Sequence, residues 1–484
     1  MESKDVSLAP KDGVPAHFLR NSVAKGFEFM KLSQSMKPKA VFYLFASFLF
    51  LFGARTAIAQ QPEWFRTGTG MGVSRARVAA PDLAAPAAAS QPVEKTFHDV
   101  LWSDLEFSGI LDLVSPSFYP KQTPGQPSEL HAQDWSSAPA NAYMVAYGSV
   151  NADASSLAVS GYLSDVSNPT APIALQKIYR GSTATEDVRH LAHQFADDII
   201  ARLSGGLPGI AQTQIAYVSA KSGNKEIWLM DYDGGNQHPI THLRSIALTP
   251  RWSPDASRIA FTCYVPGRNG VMSAQICLYS TASNHLISFP RFRGTNSSPS
   301  WSPDGQQLAF MSSQNGDPEI YMINADGTRL HRITDSPGVN TSPAWNPKTG
   351  KQMVFVSDRG GDGVPVLYQM NSDGTNVSRI DLPDMGYVID PAWSPNGQLI
   401  AFSWRRPSGN YDIYVMDIVS HQLVELTKDE ARNERPSWAP DGRHLVFEST
   451  RTGTRQIWSM LADGTQPRQL TFGGENESPN WSPR

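Results

Sequence analysis

Cysteine is nearly missing from this chain, with 2 in 484 residues, which excludes a dense disulfide framework or a cysteine-rich metal site as the source of the fold. Charged residues are sparse at 18%, and 41 Lys+Arg against 45 Asp+Glu leave a formal charge of -4. No global basic field exists to draw in a phosphate backbone, so nucleic acid is not expected as a partner. After residue 60 no stretch reaches the ~18 uninterrupted apolar residues of a membrane helix, so no direct membrane span is expected there. G-x-S-x-G, H-E-x-x-H, a P-loop and a helix-opening G-x-G-x-x-G are also missing, which removes common hydrolase, zinc-protease and nucleotide-binding signatures.

What is abundant is turn punctuation, 37 Gly and 36 Pro, against 40% hydrophobic residues. That composition suits a turn-dense globular chain and not a coiled coil. At this length two or more structural units are expected.

The amino terminus reads as a targeting segment. Met36-Lys37-Pro38-Lys39 is a short positive start, residues 40–53 are an uncharged apolar run with five Phe and three Leu, and Ala57-Ile58-Ala59 is an A-x-A cleavage signature. The 14-residue run is too short to anchor. Residues 1–59 are therefore read as leader and cleaved signal peptide, with Met1 and Met36 both open as the start, and the mature chain is expected in an oxidising compartment.

The second half repeats. Trp252-Ser253-Pro254-Asp255, Trp301-Ser302-Pro303-Asp304-Gly305, Trp345-Asn346-Pro347, Trp393-Ser394-Pro395-Asn396-Gly397, Trp438-Ala439-Pro440-Asp441-Gly442 and Trp481-Ser482-Pro483 are copies of one motif, spaced 49, 44, 48, 45 and 43 residues. That period is one four-stranded propeller blade. A strand ends at the Trp and Ser-Pro-Asp-Gly turns the chain. A second strand such as Leu308-Ala309-Phe310 follows, then a third such as Glu319-Ile320-Tyr321, and an Asp-Gly-Thr turn leads to the fourth. Ile215-Ala216-Tyr217 is a second strand with no Trp-Ser-Pro before it, whereas Trp481-Ser482-Pro483 has no second strand after it. The terminal strand should therefore complete the first blade and close a ring of six.

Recurrence separates structural from variable positions. Trp252, Trp301, Trp345, Trp393, Trp438 and Trp481 recur in every blade and are expected to pack between blades. Asp255, Asp304 and Asp441 are expected to bond their own turns. The fourth-to-first-strand loops and second-to-third-strand hairpins vary and lie on one face around the channel mouth. They place Asn296, Ser297, Asn340, Thr341, Asp390, Glu434, Glu477, Arg359, Arg405 and Arg451 on the expected binding surface.

Residues 60–75 read as a flexible extension, 76–205 as an α/β domain and 206–484 as the propeller. Within the α/β part the expected elements are a strand at 76–80, a helix at 94–108, strands near 143–148, 157–162 and 173–179, and a helix from Glu186 to Leu203 capped by Thr185 and stopped by Gly205. His190 and His193, three apart on that helix, lack nearby ligands in sequence and are expected on a polar face. Cys263 and Cys277 fall on neighbouring strands of one blade, with their pairing open.

Ile215-Ala216-Tyr217-Val218, Asp231-Tyr232-Asp233-Gly234, Phe289-Pro290-Arg291 and Pro479-Asn480-Trp481-Ser482-Pro483 together resemble the TolB family of the periplasmic Tol-Pal envelope system. The resemblance spans nearly all of the mature chain. It implies a non-enzymatic adaptor that supports outer-membrane integrity and envelope constriction during cell division. It implies binding of the lipoprotein Pal at the loop face, around Asn296, Asn340, Asp390, Glu434 and Glu477. It further implies binding of TolA through Trp64, Phe65, Arg66, Thr67, Gly68, Thr69, Gly70 and Met71. No cofactor is implied, with a calcium ion in the channel left open. The rival reading is an exported propeller enzyme, a lyase, lactonase or peptidase relative, which would need a histidine and carboxylate cluster on the inner strands.

Overall fold

The computed structural model describes residues 75–267, 270–384, 386–405, 409–429 and 431–484. The expected leader and the expected TolA-binding residues 64–71 lie outside the described residues.

The amino-terminal region runs β1 (Ala76–Ala79), α1 (Gln91–Phe107), β2 (Leu111–Leu113), α2 (Ala132–Ser136), β3 (Met144–Ala152), β4 (Ser156–Asp165), β5 (Ile173–Ser182) and α3 (Thr185–Leu203). Its sheet has the order β2-β1-β3-β4-β5. β1 is parallel to β2 and β3, and the β3-β4-β5 ladder is antiparallel. The 3.6-residue period of the sequence puts Phe97, Leu101 and Leu105 of α1 and Val188, Leu191, Phe195 and Ile199 of α3 in the core. Gly161 on β4 makes room for α3, because a Cβ there would lie 2.8 Å from the Phe195 ring.

The start of α3 departs from expectation. Its N-cap is Ala184, without a side-chain hydrogen bond. Asp187 instead accepts hydrogen bonds from the Ser182 backbone N–H and hydroxyl, so a first-turn carboxylate holds the entering strand. The helix stops where Gly205 takes φ +75. β2 and α2 carry too few residues for a periodic signal, and the sequence reading missed both.

The rest of the chain is a six-bladed propeller. Each of its six sheets has four antiparallel strands. The inner strands, Ala247–Trp252, Asn296–Trp301, Asn340–Trp345, Tyr387–Trp393, Asn433–Trp438 and Asn476–Trp481, each end at a motif Trp. As expected, the last pairs with Gln214–Ser219 of the first blade, Trp481 opposite Ile215, and closes the ring.

All six inner strands carry a bulge that the Trp motif did not reveal. Pro250, Pro299, Pro343, Pro391, Pro436 and Pro479 each stand two residues before the Trp and have no N–H to donate to the ladder. The register shifts there in every blade. The preceding residue, Thr249, Ser298, Ser342, Asp390, Arg435 or Ser478, takes a left-handed φ between 48 and 57. Six non-glycine residues in that region, each costing on the order of 1–3 kcal/mol, persist because the blades on both sides over-determine them.

The motif tryptophans pack between blades. All six are nearly buried, and the indole N–H of Trp301, Trp393 and Trp438 donates to the carbonyl of Arg251, Ala344 and Ala392 in the preceding blade. Asp255 and Asp304 bond their own turns, accepting from the Ser257 and Gln306 N–H. Cys263 and Cys277 are joined in a disulfide across the second blade's central strand pair.

Candidate functional site

Three regions of the propeller concentrate chemistry: the loop face, the channel and the junction with the α/β region. The expected loop-face residues divide among the first two.

Asn296 and Asn340 are fully buried and join blades. The Asn340 Nδ2 group donates to Glu319 Oε2 of the preceding blade at 2.9 Å, and Asn433 and Asn476 make the same contact to Asp412 and Gln456. The hydroxyls of Thr334, Thr427 and Thr471 donate to those same third-strand groups. These three inner strands are thus each latched to the blade before them through one shared acceptor. Arg359 and Arg451 complete the latch by donating to Asn340 Oδ1 and Asn433 Oδ1 while lying over Phe355 and Phe447. These four residues, two Asn and two Arg, hold blades together and present little surface to a partner.

Glu434 and Glu477 are also buried, at 5% and 4% exposure, because they stand on inner strands against paired cations and not in a loop. Asp390 joins them through its bulge. Arg435, from the bulge of the next blade, reaches Asp390 at 3.5 Å, Glu448 at 3.1 Å and Glu477 at 3.9 Å. Arg455 lies 3.5 Å from Glu448 and 3.6 Å from Glu477, Lys225 pairs with Glu477, and Arg432 with Glu434. Burial alone would lower the Arg435 guanidinium, but the surrounding carboxylates outweigh it and raise it. Burial presses Glu448 upward against the pull of Arg435. Toward the Trp-Ser-Pro mouth the channel opens into a cavity of about 450 Å³ bordered by the motif prolines.

What remains accessible on the loop face is different from the expected list. Ser297 and Thr341 are half-buried and Arg405 is exposed beside the Tyr387 ring. Around them stand apolar tips: Ile246, Val271, Met272, Val339, Tyr387 and Phe472, of which Val271 is 71% and Phe472 67% exposed. Each precedes or begins an inner strand or sits at a second-to-third-strand hairpin, so the propeller topology gathers them on one face. Scattered singly through the sequence, they had no period that could have marked them.

The opposite, turn-bearing face meets the α/β region at the first and sixth blades. One hydrophobic cluster runs from Phe97, Leu105 and Phe107 through Tyr232, Leu470 and Trp481. The His444 Nε2–H donates to the Phe107 carbonyl at 2.7 Å while Nδ1 meets Asp441 at 2.7 Å. Arg468 stacks 4.2 Å over the Phe107 ring and donates to Ser103 and Glu106.

The junction also corrects the reading of the α3 histidines. His190 is exposed beside Gln194, but His193 is buried at 3% exposure. Its Nδ1 contacts Asp104 Oδ2 of α1 at 2.7 Å, and the Tyr232 hydroxyl donates to Asp104 Oδ1 at 2.5 Å. Burial pushes the Asp104 carboxyl up, opposed by the His193 and Tyr232 hydrogen bonds. Burial works against a charged His193, but Asp104 and Asp233 outweigh it and raise the imidazole. These carboxylates come from α1 and a propeller turn, too distant in sequence for spacing to connect them with α3.

Comparison with known proteins follows the same two-part layout. The TolB amino-terminal domain family matches residues 69–171, and the TolB beta propeller domain family matches 202–389 and 383–484. A TolB homolog of Chlorobium chlorochromatii is 33% identical over 53% of this chain, which spans 55% of that relative's length. The Tol-Pal system protein TolB of Bordetella pertussis is 30% identical over 62% of this chain and 67% of its own. The crystal structure of TolB from Acinetobacter baumannii superposes with a TM-score of 0.71 at 25% identity, covering 85% of this chain and 98% of that one. With the propeller family alone matching more than half of its residues, the chain belongs to the TolB family.

Proposed function

We propose that this protein is a periplasmic protein–protein adaptor of a Tol-Pal system. In this reading the loop face of the propeller takes the lipoprotein Pal, and the extension at 64–71 takes TolA, adding as a strand to the partner's sheet. The adaptor then serves outer-membrane integrity and envelope constriction during division. The observation that carries the reading is the ring of apolar tips from Ile246 to Phe472 on the face turned away from the α/β region. Exposed apolar residues gathered around a polar rim are the usual mark of a protein-binding surface. The Bordetella relative, a Tol-Pal system protein by name, supplies the system.

The test is titration with the soluble domain of Pal. Phe472→Asp combined with Val271→Asp should weaken binding at least about tenfold, the effect of losing roughly 1.4 kcal/mol of apolar contact. Circular dichroism and the thermal midpoint should hold, since both side chains are exposed. Unchanged affinity would sink the loop-face assignment. Deleting residues 60–73 should abolish TolA binding with the propeller's thermal transition unmoved, and retained binding would refute that half.

A further inference from the structure

The α/β region and the first blade bring together His193, Asp231 and Asp233, whose ligand atoms all lie within 4.8 Å of one another. His193 is 3% exposed, and its Nε2 is buried with no hydrogen-bond partner among the described residues. That nitrogen points toward the turn, with Asp233 Oδ2 4.0 Å away. Its other nitrogen, Nδ1, is held by Asp104 at 2.7 Å. A histidine with one ring nitrogen on a carboxylate and the other, unpartnered, directed at two further carboxylates has the arrangement of a metal ligand, the first carboxylate fixing the tautomer and the ring plane.

We propose that His193, Asp231 and Asp233 bind one divalent transition-metal ion, zinc being the best match, and so clamp α3 to the first blade.

The donor chemistry suits zinc better than calcium or magnesium. An imidazole nitrogen with two carboxylates is a borderline donor set with a fourth position for water, whereas the harder cations take oxygen alone. Charge agrees as well. Asp104, Asp231 and Asp233 set against the guanidinium of Arg189 leave a formal net charge of about -2, which a dication cancels as it displaces any proton from the imidazole. Tetrahedral ligands at about 2.0–2.1 Å stand roughly 3.3 Å apart, so modest side-chain rotation closes the site. The turn itself is held in place, the Gly234 N–H donating to the Asp231 carbonyl and the Asp231 N–H to the Gly235 carbonyl. Arg189 pairs with Asp233 Oδ2 and must yield that oxygen or share the carboxylate. Asp231 and Asp233 are partly exposed, which gives an ion its way in.

The experiment uses the intact protein, stripped with chelator and titrated with zinc by calorimetry, with cobalt as a spectroscopic substitute. One zinc per chain is expected, with a raised thermal midpoint. Asp231→Asn and His193→Gln should each weaken zinc binding by at least about tenfold. Asp82→Asn, at the separate Asp82, Glu94 and His98 cluster, should leave it unchanged. If His193→Gln fails to fold, the partly exposed Asp231→Asn together with the loss of the cobalt absorption band still decides the matter. Absence of saturable binding, or binding that Asp231→Asn leaves within about twofold of the starting protein, overturns the proposal.

Discussion

Asp441 illustrates how a repeated turn residue acquires a second duty. Asp255 and Asp304 bond their own turns, but Asp441, at the same place in its blade, is buried and faces His444 and Arg443. Burial alone would raise its carboxyl, yet His444 and Arg443 outweigh that and bring it to about 2. A carboxylate depressed below its unfolded value of about 3.9 contributes stability that is present above that pH and lost as pH falls through it toward 2. The contribution is on the order of 2 kcal/mol. In acid titrations followed by tryptophan fluorescence, the starting protein should lose stability between about pH 4 and 2. Asp441→Asn should flatten that slope, and an unchanged slope would remove Asp441 from the junction's energetics.

At the scale of elements, the last strand carries the largest single commitment. Residues 476–481 pair with Gln214–Ser219, and the Trp481 indole donates to Thr213 Oγ1 at 2.7 Å. Replacing Trp481 by Ala should cost about 3–5 kcal/mol by denaturant unfolding, the range for truncating a buried aromatic. Removing residues 478–484 should do more, since it also bares the edge of the first blade and invites aggregation. A truncated protein that melts with the intact one would mean the ring closes without this strand.

At the scale of the whole molecule, Phe107 is where the two regions become one unit. Its ring centroid lies 4.6 Å from that of His444 and 6.3 Å from that of Tyr232, under the Arg468 guanidinium. Phe107→Ala should cost about 3–5 kcal/mol, concentrated at the junction. Calorimetry should then resolve the α/β region from the propeller, whereas the starting protein should show a single coupled transition. A Phe107→Ala protein that keeps one transition would place the coupling elsewhere in the cluster.

The sequence by itself determined the repeat, the six-blade count, the shared first blade, the interblade role of the tryptophans and the two long helices. These rest on local periodicity and on turn chemistry that recurs at a fixed spacing, both visible along a single chain. Only the tertiary structure decided which variable residues face a partner. Asn340 and Arg359 read as loop residues, but the latch that buries them needs Glu319 and Thr334 from the neighbouring blade. Asp390 and Glu477 read as loop charges until the proline bulge and the curvature of the ring turned them toward Arg435. His193 read as surface because its partners, Asp104 and Asp233, are 89 and 40 positions away and meet it only once the α/β region docks. The physical reason is common to all of them. Burial and pairing of polar groups depend on which elements pack together, and no local pattern encodes that distance.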